Sequence, residues 1–288
     1  MSSAAPRTCV NTSGRSPGED PEASSASFEE LNRFVRDLAR RTGELQLSRY
    51  QEPGEISEKA PKDLVTEVDI LCEEFLISEI SERYPDDAIL SEERGGEISP
   101  TGRTWLLDPV DGTANFARAN PLFCVCISVV EGGEVKHTAV AAPRLGDVYH
   151  ASSGGGAFRD SASGETYPLR VGEAETLTDS FVGADVSYRG SNNPAKNNIL
   201  EVFRSCWQVR SVGSAGIRGA WLAAGYIDVS IGTRNTAWDY APTVLLVSEA
   251  GGRATNLTGG PWAYDSDGLV ATNNDTLHTE VLNLITGS

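Results

Sequence analysis

The residues with the clearest chemical potential lie in one short segment, Trp105 to Phe116, which reads WLLDPVDGTANF. Two carboxylates, Asp108 and Asp111, are three positions apart, with a proline between them that fixes the backbone and removes a donor. Both can point at one hard cation, and the carbonyl of Val110 faces the same point. The segment therefore predicts oxygen ligands for a divalent metal ion.

The same segment also offers a place for an anion. Gly112 lets the backbone approach a ligand closely, and the N–H groups of Gly112 and Thr113 at a predicted helix start attract phosphate. Three apolar residues precede Asp108, which is typical of a buried strand that leads into a tight turn and a helix. Aspartate and glycine also populate ordinary turns for local reasons, so a purely structural turn is the alternative interpretation.

Three further carboxylates stand at predicted element boundaries. Thr66 is a good N-cap for a helix, and Asp69 lies in the first turn of that helix, where the helix dipole alone would favour an acid. Glu92 follows a short predicted strand, 88–90, at the level where the first aspartate of the central segment leaves its own strand. Asp239 is predicted to cap a later helix that ends at two glycines.

The rest of the chain supplies elements around these positions. Residues 1–26 are rich in Ser, Ala, Pro, Gly and Glu and are predicted to be a disordered tail. Residues 27–288 are predicted to form a single catalytic domain. Its N-terminal part, 27–150, is predicted to be α+β, and its C-terminal part, 151–288, α/β. Residues 51–61 are predicted to be a mobile loop. The predicted helices include 28–48, 193–207, 214–224 and a last one from about 276, and the predicted strands include 123–130, 135–141, 148–151, 156–158, 209–212, 226–231 and 269–271.

Charge and composition exclude several classes of function. The formal net charge of −17 over 288 residues argues against a nucleic-acid or membrane partner, because anionic phosphates would be repelled unless bound cations intervened. No segment is apolar enough for a signal or a bilayer span. The five cysteines lack zinc-like spacing, and Cys124 and Cys126 are predicted to be buried thiols on one face of a strand. We therefore expect a reducing, cytoplasmic location.

Four segments occur together in an order and spacing that resemble a known family. They are DPVDGTANF in the central segment, SEE after the short strand, KDLVTEVD at the start of the second helix, and WDYAP with EAGG downstream. From about residue 28 to the C-terminus, the chain resembles the inositol monophosphatase family of magnesium-dependent, lithium-sensitive phosphatases. The resemblance implies an α+β fold, a layered αβαβα sandwich of the inositol monophosphatase and fructose-1,6-bisphosphatase type, and the homodimer that is common in the family.

The resemblance also implies a site for two to three Mg²⁺ ions. Glu92, Asp108 and the Val110 carbonyl would hold one ion. Asp108, Asp111 and Asp239 would hold a second, with Asp108 bridging the two. A third, weaker ion would be shared through Glu92. Paired ions of this kind stabilise the attacking and leaving oxygens of an in-line displacement.

Catalysis is implied for three residues, Asp69, Thr113 and Glu92. The Asp69 carboxylate would accept a hydrogen bond from the Thr113 hydroxyl, which in turn would orient a metal-activated water for attack on phosphorus. Trp238 is interpreted as a packing residue that fixes the aspartate after it. No covalent phosphoenzyme is expected.

Substrate contacts match the family less well. The segment Gly213 to Ala215 resembles one that contacts the ring hydroxyls of the substrate. Seven positions before Asp239, the inositol and histidinol phosphate enzymes usually place a glutamate, whereas this chain has Gly232. Arg234 could instead meet a second anionic group, although an exposed loop arginine is the alternative. The candidate substrate and phosphate contacts are Asp111, Gly112, Thr113, Gly213, Ala215, Arg234 and Asp239.

The sequence thus predicts an enzyme, a phosphoric monoester hydrolase whose partner is a small phosphorylated metabolite. The nominal substrate is myo-inositol 1-phosphate. Histidinol phosphate, fructose 1,6-bisphosphate, a nucleoside 3′,5′-bisphosphate and other sugar phosphates remain alternatives with the same chemistry. A regulatory relative that has lost turnover is the alternative from another class, and the presence of every expected ligand argues against it.

Overall fold

A computed structural model describes residues 21–60, 63–184, 194–233 and 236–287. The helices are α1 Pro21–Ser48, α2 Glu67–Arg83, α3 Thr113–Phe116, α4 Pro194–Ser205, α5 Ala215–Ala223, α6 Ala237–Glu249 and α7 Asp275–Thr286. The strands are β1 Ile56–Ala60, β2 Asp63–Thr66, β3 Ala88–Ser91, β4 Gly95–Gly96, β5 Arg103–Asp111, β6 Cys124–Glu131, β7 Glu134–Ala142, β8 Asp147–Ser152, β9 Gly156–Asp160, β10 Thr166–Pro168, β11 Phe181–Ala184, β12 Gln208–Arg210, β13 Val229–Gly232, β14 Arg253–Thr255 and β15 Leu269–Thr272.

These strands form two sheets and a hairpin. The large sheet has the order β10-β9-β8-β7-β6-β5-β3-β4, and its neighbours pair antiparallel except for β3 and β5, which are parallel. The small sheet has the order β12-β11-β13-β15-β14, with β11 parallel to both of its neighbours and β15 antiparallel to both of its own. The hairpin pairs β1 with β2.

The alternation of side chains along β5 separates two cores. Trp105 and Leu107 point to the face of the large sheet that α1 and α2 cover, whereas Leu106 points to the opposite face, which α5 and α6 cover. The small sheet packs on the far side of α5 and α6, and α4 and α7 cover its outer face. The layers thus alternate helix, sheet, helix, sheet, helix, which confirms the predicted αβαβα sandwich.

Several boundaries differ from the sequence-based expectation. Helix α1 begins at Pro21, so residues 21–26 of the predicted disordered tail are helical, while the prediction for residues 1–20 lies outside the described residues. Strand β1 lies inside the predicted mobile loop; the sequence ISEKA has no strand-like alternation of its own, and the hydrogen bonds to β2 define it. Strands β2, β4, β10, β11 and β14 were not predicted.

The start of α6 also differs. Its N-cap is Thr236, and Asp239 lies in its first turn rather than at the cap. A carboxylate is favoured at both positions, so composition alone does not separate them. Among the described helices, none has the length and apolar character that a bilayer crossing requires.

Candidate active site

A bulge in β5 brings two aspartates to one pocket. Asp108 and Asp111 are three positions apart, yet their partners on β6 are only two positions apart. Because side chains alternate across a strand, residues three apart would otherwise point to opposite faces; the extra residue turns the second aspartate back to the side of the first. Gln46 of α1, fully buried, donates to the carbonyl of Pro109 at 2.7 Å and holds the bulge.

Three carboxylates meet in this pocket. Oxygens of Asp108, Asp111 and Asp239 all lie within 4.8 Å of one another. The first two come from the end of β5 and are buried, whereas Asp239 comes from the first turn of α6 and is half-buried. They line a cavity of about 260 Å³ between the large sheet and the small one.

Crowding and burial disfavour the charged forms of these acids. Burial raises the pKa of Asp108 well above its usual value, and repulsion from Glu92, Asp111 and Asp239 adds to the effect. Burial, together with repulsion from Asp111 and Glu92, raises the pKa of Asp239 to about 7. A bound cation would relieve this repulsion, and a donor set made only of oxygen suits Mg²⁺ better than softer metals. The residues present therefore fit a hard divalent cation.

Asp111 joins the end of β5 to the N-terminus of α5. Its Oδ2 accepts hydrogen bonds from the Ser214 hydroxyl at 2.5 Å and from the Gly216 N–H at 2.6 Å, and its Oδ1 accepts one from the Ala215 N–H at 3.1 Å. Ser214 is the N-cap of α5, so the carboxylate sits at the positive end of that helix. Burial raises the pKa of Asp111, and these hydrogen bonds oppose the shift.

Asp69 and Thr113 are in hydrogen-bond contact. The Thr113 hydroxyl lies 3.0 Å from Oδ1 of Asp69 and 3.0 Å from the Val110 carbonyl oxygen. The other carboxylate oxygen of Asp69 accepts hydrogen bonds from the backbone N–H and the hydroxyl of Thr66, which completes a capping box at the start of α2. Both oxygens are thus fixed, and burial raises the pKa of Asp69 to about 6.

Glu92 lines the same pocket but makes a different contact. Its N–H donates to the Leu107 carbonyl at 3.1 Å, which places it beside the first aspartate of β5, as predicted. Its carboxylate accepts a hydrogen bond from the Lys59 ammonium at 3.0 Å, and the same ammonium lies 2.6 Å from Glu93. Lys59 comes from β1, so the hairpin that was predicted to be a loop reaches the site.

Two small structural features shape the turn that was predicted to bind an anion. Gly112 has a φ of +96°, and a Cβ on it would lie 3.0 Å from the Leu122 carbonyl and 3.2 Å from that of Gly213, so no other residue fits there without strain. Asn115 donates to the carbonyls of Leu122 and Val212 at 2.6 and 2.9 Å. These contacts fix the turn before α3 against the loop before α5.

Sequence reasoning missed several residues that build the site: Gln46, Lys59, Glu73, Asn115, Arg218 and Tyr240. Glu73 is fully buried in α2 and accepts hydrogen bonds from the Ser91 hydroxyl and from the backbone N–H groups of Glu93 and Arg94, which holds the strand end that carries Glu92. A glutamate one helical turn after Asp69 was its signal. Arg234 lies outside the described residues, so the structure does not place its predicted contact.

The paired thiols are buried, as predicted, but they have an unpredicted neighbour. Sγ of Cys124 lies 3.3 Å from Oδ2 of Asp111 and 3.8 Å from Sγ of Cys126. Burial raises the pKa of the Cys124 thiol, which therefore stays protonated and donates to the carboxylate. The thiol is one more group that fixes the orientation of this aspartate.

Comparison with known proteins agrees with this geometry. The model of the inositol monophosphatase family matches residues 27–287. The chain belongs to the inositol monophosphatase family. Membership makes it a phosphoric monoester hydrolase of a metal-dependent class, as the sequence predicted, and the described residues include a carboxylate cluster that could hold a metal ion.

Relatives within the inositol monophosphatase family span nearly the whole chain. A Thermotoga maritima protein named fructose-1,6-bisphosphatase/inositol-1-monophosphatase is 32% identical over 253 residues, which cover 88% of this chain and 94% of the relative. The Nus factor SuhB of Escherichia coli is 34% identical over 238 residues, 80% of this chain and 86% of the relative. The solved structure of a Thermotoga maritima IMPase superposes with a TM-score of 0.77 at 29% identity, covering 92% of this chain and 97% of that one.

Proposed function

We propose that this member of the inositol monophosphatase family is a Mg²⁺-dependent hydrolase of a small phosphate monoester, nominally myo-inositol 1-phosphate. The observation that carries the proposal is the meeting of Asp108, Asp111 and Asp239 beside the hydrogen-bonded pair of Asp69 and Thr113. Cations bound there would polarise the phosphate and activate a water molecule.

Four of the five proposed metal ligands lie in β5 or directly after β3, and the fifth, Asp239, comes from α6. Asp108 is central and would be shared by two ions, one also held by Glu92 and the Val110 carbonyl, the other by Asp111 and Asp239. A third, weaker ion would be shared through Glu92. The Lys59 ammonium bonds to that glutamate, so it competes with a cation for the same carboxylate.

The Thr113 hydroxyl has one proton and two acceptors at the same distance, the Asp69 carboxylate and the Val110 carbonyl. If the Val110 carbonyl oxygen binds a metal ion, the Thr113 hydroxyl donates its hydrogen bond to Asp69 instead. The threonine oxygen then accepts a hydrogen bond from the attacking water. A proton leaving the water at Thr113 can pass to Oδ1 of Asp69, which is the role of a general base.

Fructose 1,6-bisphosphate is the second candidate substrate. The Thermotoga maritima relative carries that activity in its name beside the inositol one. In addition, this chain has Gly232 at the position where the inositol phosphate enzymes of the family usually have a glutamate. A Cβ at this position would lie 2.3 Å from the Tyr240 hydroxyl oxygen. The net charge of −17 supports a small phosphorylated metabolite, rather than nucleic acid, as the partner.

The test is phosphate release from inositol 1-phosphate, histidinol phosphate, fructose 1,6-bisphosphate and adenosine 3′,5′-bisphosphate, each with Mg²⁺ and with EDTA. We expect release that requires Mg²⁺ and a preference of about tenfold or more in kcat/KM for one compound, equivalent to about 1.4 kcal/mol. Mg²⁺ binding without turnover of the panel or of a generic aryl phosphate would overturn the proposal in favour of a regulatory protein.

A further inference from the structure

Two thiols and a carboxylate meet behind the pocket. Sγ of Cys124, Sγ of Cys126 and a carboxylate oxygen of Asp111 all lie within 4.8 Å of one another. The two cysteines are two positions apart on β6, so they share one face of the strand, and Asp111 pairs with Cys124 across the bulge of β5. All three residues are buried, and both thiols are free. We name this cluster the thiol site.

The spacing of the three donor atoms suits a tetrahedral metal ion. Sγ of Cys124 lies 3.8 Å from Sγ of Cys126 and 3.3 Å from Oδ2 of Asp111. At a Zn–S distance of about 2.3 Å, two tetrahedral thiolates lie about 3.8 Å apart, and a thiolate and a carboxylate oxygen lie about 3.5 Å apart. The side chains therefore stand close to the distances that a metal ion would need. The Ser214 hydroxyl, 3.4 Å from Sγ of Cys124, is a fourth donor at the same place.

Gly216, in the first turn of α5, faces all three atoms. A Cβ on it would lie 2.4 Å from Sγ of Cys126, 2.9 Å from Sγ of Cys124 and 3.1 Å from Oδ2 of Asp111. The three donors thus converge on one point in front of this residue, and a glycine leaves that point clear of its own side chain. Any larger residue would block the space between the donors.

The donors of the thiol site differ from those of the carboxylate cluster. The cluster of Asp108, Asp111 and Asp239 offers oxygen alone, whereas the thiol site offers two sulfur atoms, which favour Zn²⁺ and Cd²⁺ over Mg²⁺. We propose that the thiol site binds one thiophilic divalent cation of the Zn²⁺ and Cd²⁺ class. On binding, two S–H bonds break, two bonds between sulfur and the metal form, and both protons leave to water. No electron is transferred.

Asp111 links the thiol site to the proposed Mg²⁺ site. It lines the pocket together with Ser214 and Ala215, so an ion reaches the thiols from that side. Both cations would draw on the same carboxylate, and each would add a positive charge beside the other. The two ions should therefore weaken each other by the same factor, about fivefold or more. This coupling rests on the proposed function, because it requires Asp111 to be a Mg²⁺ ligand.

The binding step is tested with reduced wild-type protein and Cd²⁺ in the absence of Mg²⁺. A thiolate bound to Cd²⁺ gives an ultraviolet charge-transfer band and a carboxylate does not, so the band reports sulfur ligands alone. We expect the band to saturate at one Cd²⁺ per chain with the intensity of two thiolates, and an excess of Zn²⁺ to remove it. Absence of a two-thiolate band in the wild-type protein would overturn the proposal without any variant.

Variants then assign the band to the thiol site. Cys124→Ser and Cys126→Ser should each halve the band and raise the Kd for Cd²⁺ by about tenfold or more. Cys206→Ser is the matched control, because it makes the same change at a half-buried thiol that follows α4, and it should keep both the band and the Kd. A band that survives in both of the first two variants, or that Cys206→Ser abolishes, would place the cation elsewhere and overturn the proposal.

The coupling is tested by repeating the Cd²⁺ titration at saturating Mg²⁺. The Kd read from the thiolate band should rise about fivefold or more in the wild type and should not change in Asp108→Asn, which removes a proposed Mg²⁺ ligand outside the thiol site. An unchanged Kd in wild-type protein that calorimetry shows to bind Mg²⁺ would overturn the coupling. Failure of the proposed function looks different, because Mg²⁺ would then not bind, while the thiolate band would still form.

Discussion

The two sides of the pocket are built in opposite ways. On the large-sheet side, Asp108 and Asp111 lie at the end of β5 and Thr113 follows them, and hydrogen bonds with α1, α2 and α5 fix this segment. On the small-sheet side, Arg218 and Tyr240 come from two helices and are defined by the glycines that they pack against. In the proposed function, the first side would act on the phosphate that all candidate substrates share, whereas the second would lie nearer the part of the substrate that varies. Substitutions on the first should therefore affect all substrates, and those on the second should alter the choice among them.

Asp108→Asn gives the sharpest test of the large-sheet side. The change should lower kcat by about 10³-fold or more for every substrate, because both proposed ions lose a shared anionic ligand. Phosphate release and calorimetric titration with Mg²⁺ measure the effect. Asp86→Asn is the control, since it makes the same chemical change at an exposed site outside the pocket. Near-normal turnover in Asp108→Asn would remove the basis for the two-metal assignment.

Thr113→Ala separates proton handling from metal binding. The variant should bind Mg²⁺ about as well as the wild type, yet its kcat should fall by about 10² to 10⁴-fold, the usual contribution of general acid–base catalysis. Thr113→Ser keeps the hydroxyl that lies 3.0 Å from Asp69 and should recover most of the rate. A kcat that does not change in the alanine variant would show that the water is activated elsewhere.

Buried acids should make the stabilising effect of Mg²⁺ depend on pH. Burial raises the pKa of Asp239 to about 7 and that of Asp69 to about 6, from an ordinary value of 3.8. An acid with a raised pKa in the folded state binds protons better there, so without metal its cost to folding grows as the pH rises above its ordinary pKa of 3.8 and levels off above its folded pKa of about 6 or 7. Mg²⁺ bound by Asp239 would take the place of the proton on that acid. The difference in Tm between Mg²⁺ and EDTA should be several degrees at pH 8 and should shrink toward pH 6.

The histidines provide the internal control for that measurement. Burial lowers the pKa of His137, His150 and His278 to about 4. A base with a lowered pKa in the folded state destabilises the fold as the pH falls below its ordinary value of 6.5, and it does so with or without Mg²⁺. Because the effect of the histidines on Tm is the same with Mg²⁺ and with EDTA, it cancels when the two Tm values are subtracted. A difference in Tm that stays constant from pH 8 to pH 6 would contradict the carboxylate assignment.

The contrast between the two sides also explains what the sequence could predict. The central segment of β5 is contiguous, so its two aspartates, its glycine and its threonine were identifiable by type and spacing, and the family resemblance supplied Glu92 and Asp239. The αβαβα order was predictable on the same basis. The bulge that turns Asp108 and Asp111 to one face could not be predicted, because pairing with β6 defines it. It also depends on the side chain of Gln46, which lies 63 positions before the proline that it contacts.

The small-sheet side shows where sequence reasoning fails. Gly232 was recognised as a departure from the family pattern, but the side chain that fills its space comes from Tyr240, on a different element. Arg218 carries no motif at all, and only the path of its stem across Gly183 brings it to the pocket. Likewise β1 has no strand pattern of its own, so the approach of Lys59 to Glu92 depends on a hairpin that forms by pairing.

Ser214→Ala tests the contact between Asp111 and the N-terminus of α5, which connects the two sides of the pocket. Of the variants considered, it should have the smallest effect. Loss of this N-cap should lower the free energy of unfolding by about 1 kcal/mol, measured by urea denaturation. Asp111 would keep its hydrogen bonds to the N–H groups of Ala215 and Gly216, so kcat/KM should fall only a few-fold, equally for all substrates. A loss that differed between substrates would instead show that this contact also positions groups on the small-sheet side, and the separation of the two sides would no longer hold.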